Sequence, residues 1–549
     1  MGLISFLGFT LLVAGIAWWS TRSTDEASSD GYFLAGRSLT AGVIAGSLLL
    51  TNLSTEQIVG LNGQAYTEGI LVMAWETLAA MAIVVTAVFL LPRYLKGGLT
   101  TVPQFLERRY DTATKSIASG LFLSGYVVVL LPIVLYSGAV AFSAMFDLPS
   151  LLGVSKTTAL WVAVWGIGIV GSIYAVFGGL KAVAVSDTIN AVGLLIGGLM
   201  IPFFGLAYIG EGNMLDGLST LVAANPEKFN SIGSATASVP FATIFTGMML
   251  VQLFYWGTNQ AIIQRALGAK NLEEGQKGLM LAGFIKVLGP LVVVLPGVIA
   301  FHIFEGNLEV ADEAYPRLVA KVLPAGLVGF FAAVLFGAIL SSFNSALNSS
   351  VTLFGVDIYK EYINKGADEK QIVKAGKTFG IVLAIVAMFI APMIANAPEG
   401  LFGYLQEVNG CYSIPIFTII IVGYLTKYVP AIAAKLAIGL GVVLYSISQF
   451  ILKPQMVASA VAAAEASGMT DAAALAEVEK LAYPHFLHVM AILFVMNVLI
   501  MLSIGYFKPR AAAYEQTYTQ QVDITPWKYV NHTGIAITII VIAIYAYFA

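Results

Sequence analysis

The stretch AGVIAGSLLLTNLSTEQIVGLN, residues 41–62, is as long as a membrane-spanning helix, but the polar run Asn52–Gln57 interrupts it. A continuous lipid-facing helix has no reason to carry such a run, because unpaired polar groups are costly in hydrocarbon. An unwound segment that lines a cavity does, because its freed carbonyls and amides can bind a solute or an ion. The stretch therefore predicts a broken membrane-spanning helix.

The composition of the chain agrees with a membrane location. Of its 549 residues, 58% are hydrophobic and 11% are charged, and the mean hydropathy is +0.85. A soluble domain carries about 25% charged residues, so a soluble enzyme and a disordered chain are excluded. The 28 basic and 31 acidic residues leave no excess of positive charge for nucleic acid. We therefore predict a polytopic protein of the lipid bilayer.

Several kinds of chemistry have no motif in the sequence. The patterns G-x-x-x-x-G-K-[ST], H-E-x-x-H and G-x-S-x-G do not occur, so neither ATP-driven pumping nor intramembrane hydrolysis is predicted. The single cysteine, Cys411, excludes an internal disulfide and a four-cysteine zinc site. We expect neither an enzyme nor an organic cofactor, and no obligatory protein partner is evident.

Hydropathy divides the chain into fourteen predicted transmembrane helices, joined mostly by short connections that leave no room for a soluble domain. The predicted spans are 2–19, 41–62, 68–92, 116–145, 157–178, 185–210, 240–266, 277–304, 318–356, 374–396, 400–427, 429–453, 485–507 and 531–549.

The basic residues set the predicted orientation. With the N-terminus outside, twenty of the 28 Lys and Arg residues, Arg265 among them, fall in inside loops; five fall outside and three within helices. This is the bias that the positive-inside rule describes. No basic segment precedes the first span and no cleavage site follows it, so we expect an uncleaved helix. The predicted location is the plasma membrane (the inner membrane of a bacterium), with both termini outside.

A second interrupted stretch lies at 240–266, where the run Tyr255–Gln260 breaks an apolar helix. The two interrupted spans are the second and the seventh, so each opens a group of five. An odd number of helices per group places the groups in opposite orientations, which is the logic of an inverted repeat with its site near the bilayer midplane. Polar seams also join packed helices, and that alternative stays open.

Ionisable and hydroxyl side chains at membrane depth form the third signal. Charges there are costly and usually functional, although a structural ion pair is the alternative. The charged residues within predicted spans are Glu56, Glu76, Asp187, Lys286 and Glu407. In the ninth span, Ser341, Ser345 and Asn348 share one face. Their neutral oxygens suit a hard monovalent cation, whereas small hydroxyl residues also permit close helix packing.

Six sequence motifs together support a family resemblance. They are Tyr32–Arg37 (YFLAGR), Asn52–Gln57, Gly178–Val183 (GGLKAV) leading to Asp187, Tyr255–Gly257 leading to Ile263–Arg265, Ser341–Ser342, and Gly355–Tyr359 (GVDIY). With these motifs the chain resembles, almost end to end, the sodium/solute symporters, and within them the bacterial and animal sodium–glucose/galactose cotransporters.

The resemblance implies an all-α LeuT-type fold whose core is a five-plus-five inverted repeat. The expected divisions are residues 1–40 (an extra helix and a cytoplasmic loop), 41–210 (first repeat), 211–239 (external loop), 240–427 (second repeat) and 428–549 (accessory helices).

The resemblance also implies a sodium site and a solute site. The expected sodium ligands are the carbonyls of Leu50, Leu53 and Ala338 and the hydroxyls of Ser341 and Ser342. Asp187, Asn344 and Ser345 are expected on the sodium exit path or at a second ion. The expected solute-binding residues are Asn52, Gln57, Glu76, Gln252, Lys286 and Gln406, and the gates are Leu61, Trp75, Tyr255 and Phe402. Gln252 stands where a bacterial galactose-transporting relative has asparagine.

These residues predict a sodium-coupled symporter that imports a glucose- or galactose-like monosaccharide by alternating access. A mixed ring of hydrogen-bond donors and acceptors suits a polyol. The alternative within the same family is a symporter of proline, a carboxylate, a vitamin or a sialic acid. An ion channel and a membrane sugar sensor are alternatives of other classes.

Overall fold

The structure is a computed structural model that describes residues 2–22, 28–396 and 401–549. The predicted inside loop at 20–40 lies partly outside the described residues. The predicted outside turn at 397–399 and residue 400 of the predicted eleventh span lie wholly outside them. Within the described ranges, all fourteen predicted segments are helical. Their main helices are Gly2–Thr21, Ala41–Asn52 with Thr55–Glu68, Ala74–Val85 with Leu91–Gly97, Thr112–Gly125 with Leu131–Phe146, Lys156–Ile209 (two spans), Met249–Gly257 with Gln260–Leu267, Leu272–Val293 with Leu295–Ile303, Ala325–Thr352, Glu369–Ile390, Leu401–Leu425, Ala431–Ile447, Phe486–Phe507 and Val530–Tyr547.

Most of these helices are long and apolar enough to cross a membrane. Among the described residues eleven meet that standard, and the seventh span adds a twelfth as a pair of helices bent by 48°. The first span and the inner half of the second span are shorter apolar helices. The twelfth span runs on beyond the predicted boundary, through a wide turn at Ser448–Leu452 into the helix Lys453–Ala466.

The second span is broken where its polar run begins. Leu53 leaves the helical region, with φ −77° and ψ 61°. The Ser54 amide then donates to the Asn52 carbonyl at 2.8 Å instead of continuing the helical ladder to Leu50. The Leu50 carbonyl therefore loses its helical donor, as a carbonyl that coordinates an ion requires.

The fifth and sixth spans form one helical run that a single glycine divides. Gly179 has φ 58° and ψ −168°, a conformation that side chains with a Cβ rarely adopt. A Cβ there would also lie 3.0 Å from the Tyr32 carbonyl oxygen. The predicted inside loop at 179–184 is therefore reduced to this one residue, and the sixth span begins directly after it.

Two predicted boundaries were wrong by about two turns. The third span begins at Ala74 because Gly69, with φ 82°, ends the preceding helix and a tight turn fills Gly69–Met73. The ninth span begins at Ala325, because Pro324 pushes Leu323 into an extended conformation. Residues 314–322 therefore form a separate short helix.

The predicted external loop is fastened to the C-terminal end of the second span. Lys228 donates through Nζ to the carbonyls of Tyr66 (3.2 Å) and Thr67 (2.5 Å). Burial lowers the pKa of Lys228, while the charges of Glu227 and Glu68 raise it. Glu68 in turn accepts a hydrogen bond from the Ser238 amide at 2.8 Å. This arrangement satisfies carbonyls that the helix end leaves without donors.

The sixth and ninth spans pack against each other at the centre, and the inner half of the second span packs on both. The first span lies against the ninth span and the fifth–sixth run. The break in the second span is consequently held against the hydroxyl-bearing face of the ninth.

Candidate functional site

A small pocket lies where the two broken spans meet the third, fourth and eleventh spans. It has a volume of about 50 Å³, room for a few water molecules. Its lining residues are Asn52, Glu56, Gln57, Trp75, Leu130, Val251, Gln252, Tyr255, Asn259, Phe402, Leu405, Gln406, Asn409 and Tyr412. The structure therefore brings together four of the six predicted solute-binding residues and three of the four predicted gate residues.

Three polar atoms of this pocket have no hydrogen-bond partner among the described residues. They are the acceptors Asn52 Oδ1 and Glu56 Oε2 and the donor Trp75 Nε1. Each belongs to a side chain that is at most 8% exposed, so leaving the atom unpaired is costly. The lining residues therefore carry unpaired acceptors and an unpaired donor.

Two of the predicted gate residues that line the pocket contact each other. The rings of Trp75 and Phe402 meet edge to face, with centroids 5.2 Å apart. Gln252 donates through Nε2 to the Trp75 carbonyl at 2.9 Å and so holds this part of the third span. Leu61 is fully buried but does not line the pocket, whereas Tyr255 does. Trp75 and Phe402 are thus in contact, and their role as gates stays a prediction.

Glu76 and Lys286 lie behind the pocket and not in its lining. Lys286 Nζ donates to Glu76 Oε2 at 2.6 Å, and both side chains are at most 1% exposed. Gln57, which does line the pocket, donates through Nε2 to the other oxygen of Glu76. The two charges thus form the structural pair that the sequence left open, and Gln57 links them to the pocket. Their direct contact with a solute stays a prediction.

Sequence reasoning missed two residues that line the pocket, Asn409 and Tyr412, and also Tyr126, which does not line it but holds Asn259, which does. Tyr126 donates its hydroxyl to Asn259 Oδ1 at 2.6 Å, and Tyr412 donates to Asn409 Oδ1 at 2.7 Å. The signal for Asn409 was present, because it lies one turn after Gln406 on the helical face that also carries Phe402. Tyr126 carried no such signal, because nothing local ties it to a helix 133 residues away.

The predicted sodium ligands meet at the break of the second span. Ser342 donates its hydroxyl to the Thr51 carbonyl at 3.0 Å. Thr51 Oγ1 is 2.9 Å from Ser345 Oγ and 3.5 Å from Ser341 Oγ. Leu50, Leu53 and Ala338 are at most 3% exposed. The ninth span therefore faces the freed carbonyls with neutral oxygens, and their role as sodium ligands stays a prediction.

A small polar cavity adjoins this region. Its volume is about 20 Å³, and its lining includes Asp187, Ser341, Asn344 and Thr10 of the first span. Asn344 Oδ1 and Thr10 Oγ1 have no partner among the described residues. The cavity is large enough for one water molecule. Asp187 and Asn344 thus share a cavity next to Ser341, whereas Ser345 lies outside its lining.

Arg265 was wrongly expected in an inside loop, because it is fully buried beside the predicted sodium ligands. Its guanidinium donates through Nη2 to Ser345 Oγ and through Nε to Ser47 Oγ, the latter at 3.2 Å. Ser47 donates in turn to Asp187 Oδ2 at 2.7 Å. Ser47 therefore bridges Arg265 and Asp187 by hydrogen-bonding to both of them.

Glu407 takes the alternative that the sequence left open for charges within predicted spans, a structural ion pair. It pairs with Lys453 at 2.6 Å, and the two side chains are 18% and 36% exposed. Both partners are partly exposed, although Glu407 directly follows the pocket residue Gln406.

Comparisons with known proteins identify the family of this chain. Residues 32–434 match the model of the sodium:solute symporter family. The chain is 48% identical over 544 residues to a protein of Escherichia coli (strain K12) named "Uncharacterized symporter YidK", covering 99% of this chain and 90% of that one. It is 33% identical over 446 residues to a sodium/glucose cotransporter of Vibrio parahaemolyticus, covering 77% and 80%. A sodium/myo-inositol cotransporter 2 of Rattus norvegicus is 30% identical over 76% of this chain and 65% of its own length.

Solved structures show the same fold. A Na⁺-coupled sialic acid symporter superposes with a TM-score of 0.73, covering 93% of this chain and 98% of that one at 18% identity. Mhp1, a nucleobase-cation-symport-1 family transporter, superposes with a TM-score of 0.51 over 86% and 94% at 13% identity. The predicted all-α fold with a LeuT-type core is confirmed. The chain is a multi-pass membrane protein that belongs to the sodium:solute symporter family.

Proposed function

We propose that this protein imports a neutral polyhydroxylated solute, a glucose- or galactose-like monosaccharide first among them, together with sodium. The observation that carries the proposal is the set of unpaired pocket atoms, Asn52 Oδ1, Glu56 Oε2 and Trp75 Nε1. Each hydroxyl of a sugar can donate one hydrogen bond and accept others, so one small polyol can satisfy both acceptors and the donor. Tyr255 and Trp75 add aromatic surface for the ring.

The charge of the pocket argues against an anionic solute. None of its described lining residues is Lys or Arg. Lys286, the nearest candidate, is held by Glu76 behind the wall. A carboxylate solute would lose its hydration without gaining a cationic partner, while facing Glu56. This is the reason to prefer a sugar to the carboxylate- or sialic acid-transporting alternatives.

Relatives support the same solute class. The names of two relatives with about 30% identity specify glucose and myo-inositol, which are both neutral polyols. The sialic acid symporter is similar in fold alone, at 18% identity. The uptake experiment below tests the alternatives, which are proline, a vitamin and a sialic acid.

The proposed cycle begins with sodium at the break of the second span. Sodium bound by the Leu50, Leu53 and Ala338 carbonyls and the Ser341 and Ser342 hydroxyls would hold the second span against the ninth. Asn52 and Gln57, which follow the break, are then already positioned when the solute arrives. Linkage requires that sodium tightens solute binding by the factor by which the solute tightens sodium binding.

In the proposed cycle, the gate residues on the two sides of the pocket control closure and release of the solute. The Trp75–Phe402 contact separates the pocket from the outside once the solute has entered. Opening past Tyr255, on the seventh span, would then release the solute inward. The ion would leave past Asp187, Asn344 and Ser345.

One sodium ion per solute supplies enough energy for accumulation. Moving one charge through 100 mV releases about 2.3 kcal/mol. A tenfold sodium gradient adds about 1.4 kcal/mol. The sum, about 3.7 kcal/mol, sustains a solute gradient of several hundredfold. We propose this coupling in the plasma membrane, with both termini outside.

The decisive experiment is uptake into proteoliposomes of the full chain, with and without an inward sodium gradient. Radiolabelled glucose, galactose and myo-inositol are compared with proline and sialic acid. We expect sodium-dependent accumulation of at least one neutral polyol. Accumulation of proline or sialic acid alone would overturn the proposed solute class.

A pair of glutamine variants localises the solute site. Gln406→Ala removes an amide from the pocket, and we expect a roughly tenfold higher solute concentration for half-maximal uptake at saturating sodium. Gln449→Ala is the control, because Gln449 lies in the twelfth span outside the pocket. Equal effects of the two substitutions would place the solute elsewhere.

A further inference from the structure

A groove opens on the molecular surface where the ninth and tenth spans end. It lies between the wide helical turns Leu353–Ile363 and the start of the helix Glu369–Ile390, and its volume is about 570 Å³. Phe354 and Phe379 form its floor, with rings stacked 4.1 Å apart and 7° from parallel. Ile363 adds an apolar edge that is 62% exposed. The groove is therefore an apolar slot at the end of two membrane-spanning helices.

The apolar lining continues along the tenth span. Val382, at the deep end of the groove, is 55% exposed, and Ile385, Val386 and Phe389 follow on the same helical face with 38–51% exposed. From Lys374 to Ile385 the helix rises about 16 Å, which matches the hydrocarbon thickness of one leaflet, about 15 Å. The groove thus leads into a track that has the length of an acyl chain.

Unpaired positive charge lies at the other end of the groove. Lys374 lines it, and Lys370 precedes Lys374 by about one turn. Both are exposed, and neither has an acidic partner within 4.0 Å among the described residues. Two further exposed lysines lie nearby, Lys360 in the wide helical turns Leu353–Ile363 and Lys365 in the loop that follows them. This end of the groove is therefore cationic.

Neighbouring acidic groups are engaged elsewhere. Asp368 caps the tenth span by accepting from the Gln371 amide at 2.8 Å, and Glu369 accepts from the Ser29 amide at 3.0 Å. Glu361 pairs with Lys115 at 3.4 Å. Within the described residues, Lys374 is consequently left without an acidic partner.

We propose that this groove binds an anionic phospholipid, with the headgroup phosphate at Lys374 and Lys370 and one acyl chain over Phe354 and Phe379. A free phosphate could use the lysines but would leave the stacked rings exposed, whereas a lipid covers both. Basic pockets between helices on the cytoplasmic face are typical sites for anionic headgroups. Only the naming of this face as cytoplasmic rests on the proposed orientation. The lipid would bridge the tenth span and the ninth, which carries Ser341 and Ser342.

The test measures binding of phosphatidylglycerol to the purified full chain in detergent by native mass spectrometry, with phosphatidylcholine for comparison. Inorganic phosphate serves as the headgroup-only probe, and thermal unfolding is followed in parallel. We expect preferential binding of phosphatidylglycerol and a higher unfolding temperature in its presence. Equal stabilisation by inorganic phosphate would overturn the lipid assignment.

Three variants distinguish binding of the lipid in this groove from non-specific electrostatic attraction to the basic surface. We expect Lys374→Gln to weaken phosphatidylglycerol binding about fivefold. Ala375→Trp keeps the charge but fills the groove, and it should abolish the preference. Lys508→Gln is the control, because Lys508 is exposed on the same predicted face but does not line the groove. The proposal is wrong if Lys508→Gln weakens binding as much as Lys374→Gln, or if Ala375→Trp binds normally. Unfolding temperatures in phosphatidylcholine show whether each variant is folded.

Discussion

Asp187 and Arg265 are buried residues of opposite charge, and the Ser47 hydroxyl bridges them by hydrogen bonds. Ser47 donates to Asp187 at 2.7 Å and accepts from Arg265 at 3.2 Å. Ser345 accepts from the same guanidinium and also contacts Thr51 beside the break of the second span. The cluster therefore fixes the side chains around the predicted sodium ligands, and each charge depends on the other for its compensation.

Removing one of these charges should be costlier than removing both. Asp187→Asn leaves a buried guanidinium without a countercharge, so we expect a loss of about 3 kcal/mol in the free energy of unfolding. In Asp187→Asn/Arg265→Gln the loss should be smaller than the sum of the single losses. Denaturant unfolding of the purified variants measures the difference.

The Lys453–Glu407 pair is the matched control for this cycle. It is partly exposed, so Lys453→Gln should cost less than about 1 kcal/mol. Additive losses for Asp187 and Arg265 would show that the two charges are not coupled.

The Ser342 hydroxyl is the clearest single-residue test of the sodium site. Ser342 reaches the broken span through the Thr51 carbonyl. We expect Ser342→Ala to raise the sodium concentration for half-maximal uptake roughly tenfold, because one neutral oxygen ligand is lost. Sodium titrations of uptake at saturating solute measure this change.

Ser350→Ala provides the comparison on the same helix. The Ser350 hydroxyl is equally buried but donates to the Ala346 carbonyl of its own helix at 2.8 Å. Ser350→Ala should therefore leave the sodium dependence of uptake unchanged. If Ser342→Ala and Ser350→Ala behave alike, the sodium assignment fails.

At the scale of elements, the outer half of the second span touches the eleventh span through a glycine. A Cβ on Gly60 would lie 2.6 Å from the Cβ of Phe402, whose ring packs on Trp75. The two helices can approach this closely only because Gly60 has no side chain. Closure of the pocket therefore depends on how closely these two elements approach.

Gly60→Ala should hold the outer side open. We expect solute affinity to change less than about threefold, while the maximal rate of uptake falls, because Phe402 can no longer reach its closed position. Equilibrium solute binding and initial uptake rates separate the two effects.

Gly403→Ala is the matched control on the facing helix. A Cβ there would meet only Gln64 Nε2 at 3.6 Å, an ordinary contact. The Gly403→Ala variant should therefore take up the solute at the same maximal rate as the unmodified protein. A normal maximal rate in Gly60→Ala would show that this helix contact is not needed for closure.

The whole molecule has a predicted orientation that its basic residues set. Cys411, the one cysteine, is only partly buried, so it is first replaced by alanine. Single cysteines then replace Ser467, exposed after the helix Lys453–Ala466, and Lys365, exposed between the ninth and tenth spans. We expect a membrane-impermeant maleimide to label Ser467→Cys in intact cells but Lys365→Cys only after permeabilisation. The reverse pattern would invert the topology.

Local sequence was sufficient to predict the all-helical membrane fold and its two broken spans. The runs Asn52–Gln57 and Tyr255–Gln260 predicted the breaks because a polar segment at membrane depth has few stable conformations. The observed bends at Leu53–Ser54 and between Gly257 and Gln260 agree with that reasoning. Boundaries were less predictable, because Gly69 and Pro324 end or start helices inside apolar stretches.

Tertiary structure alone decided which partner each buried polar group takes. The sequence placed Glu76 and Lys286 at membrane depth, but their pairing joins residues 210 positions apart. It placed Arg265 in a loop, whereas folding brings it to Ser345, 80 positions along the chain. Hydropathy is a local property, so it determines where helices cross the bilayer. The pairing of charges depends on helix packing, which is set by contacts across the whole chain.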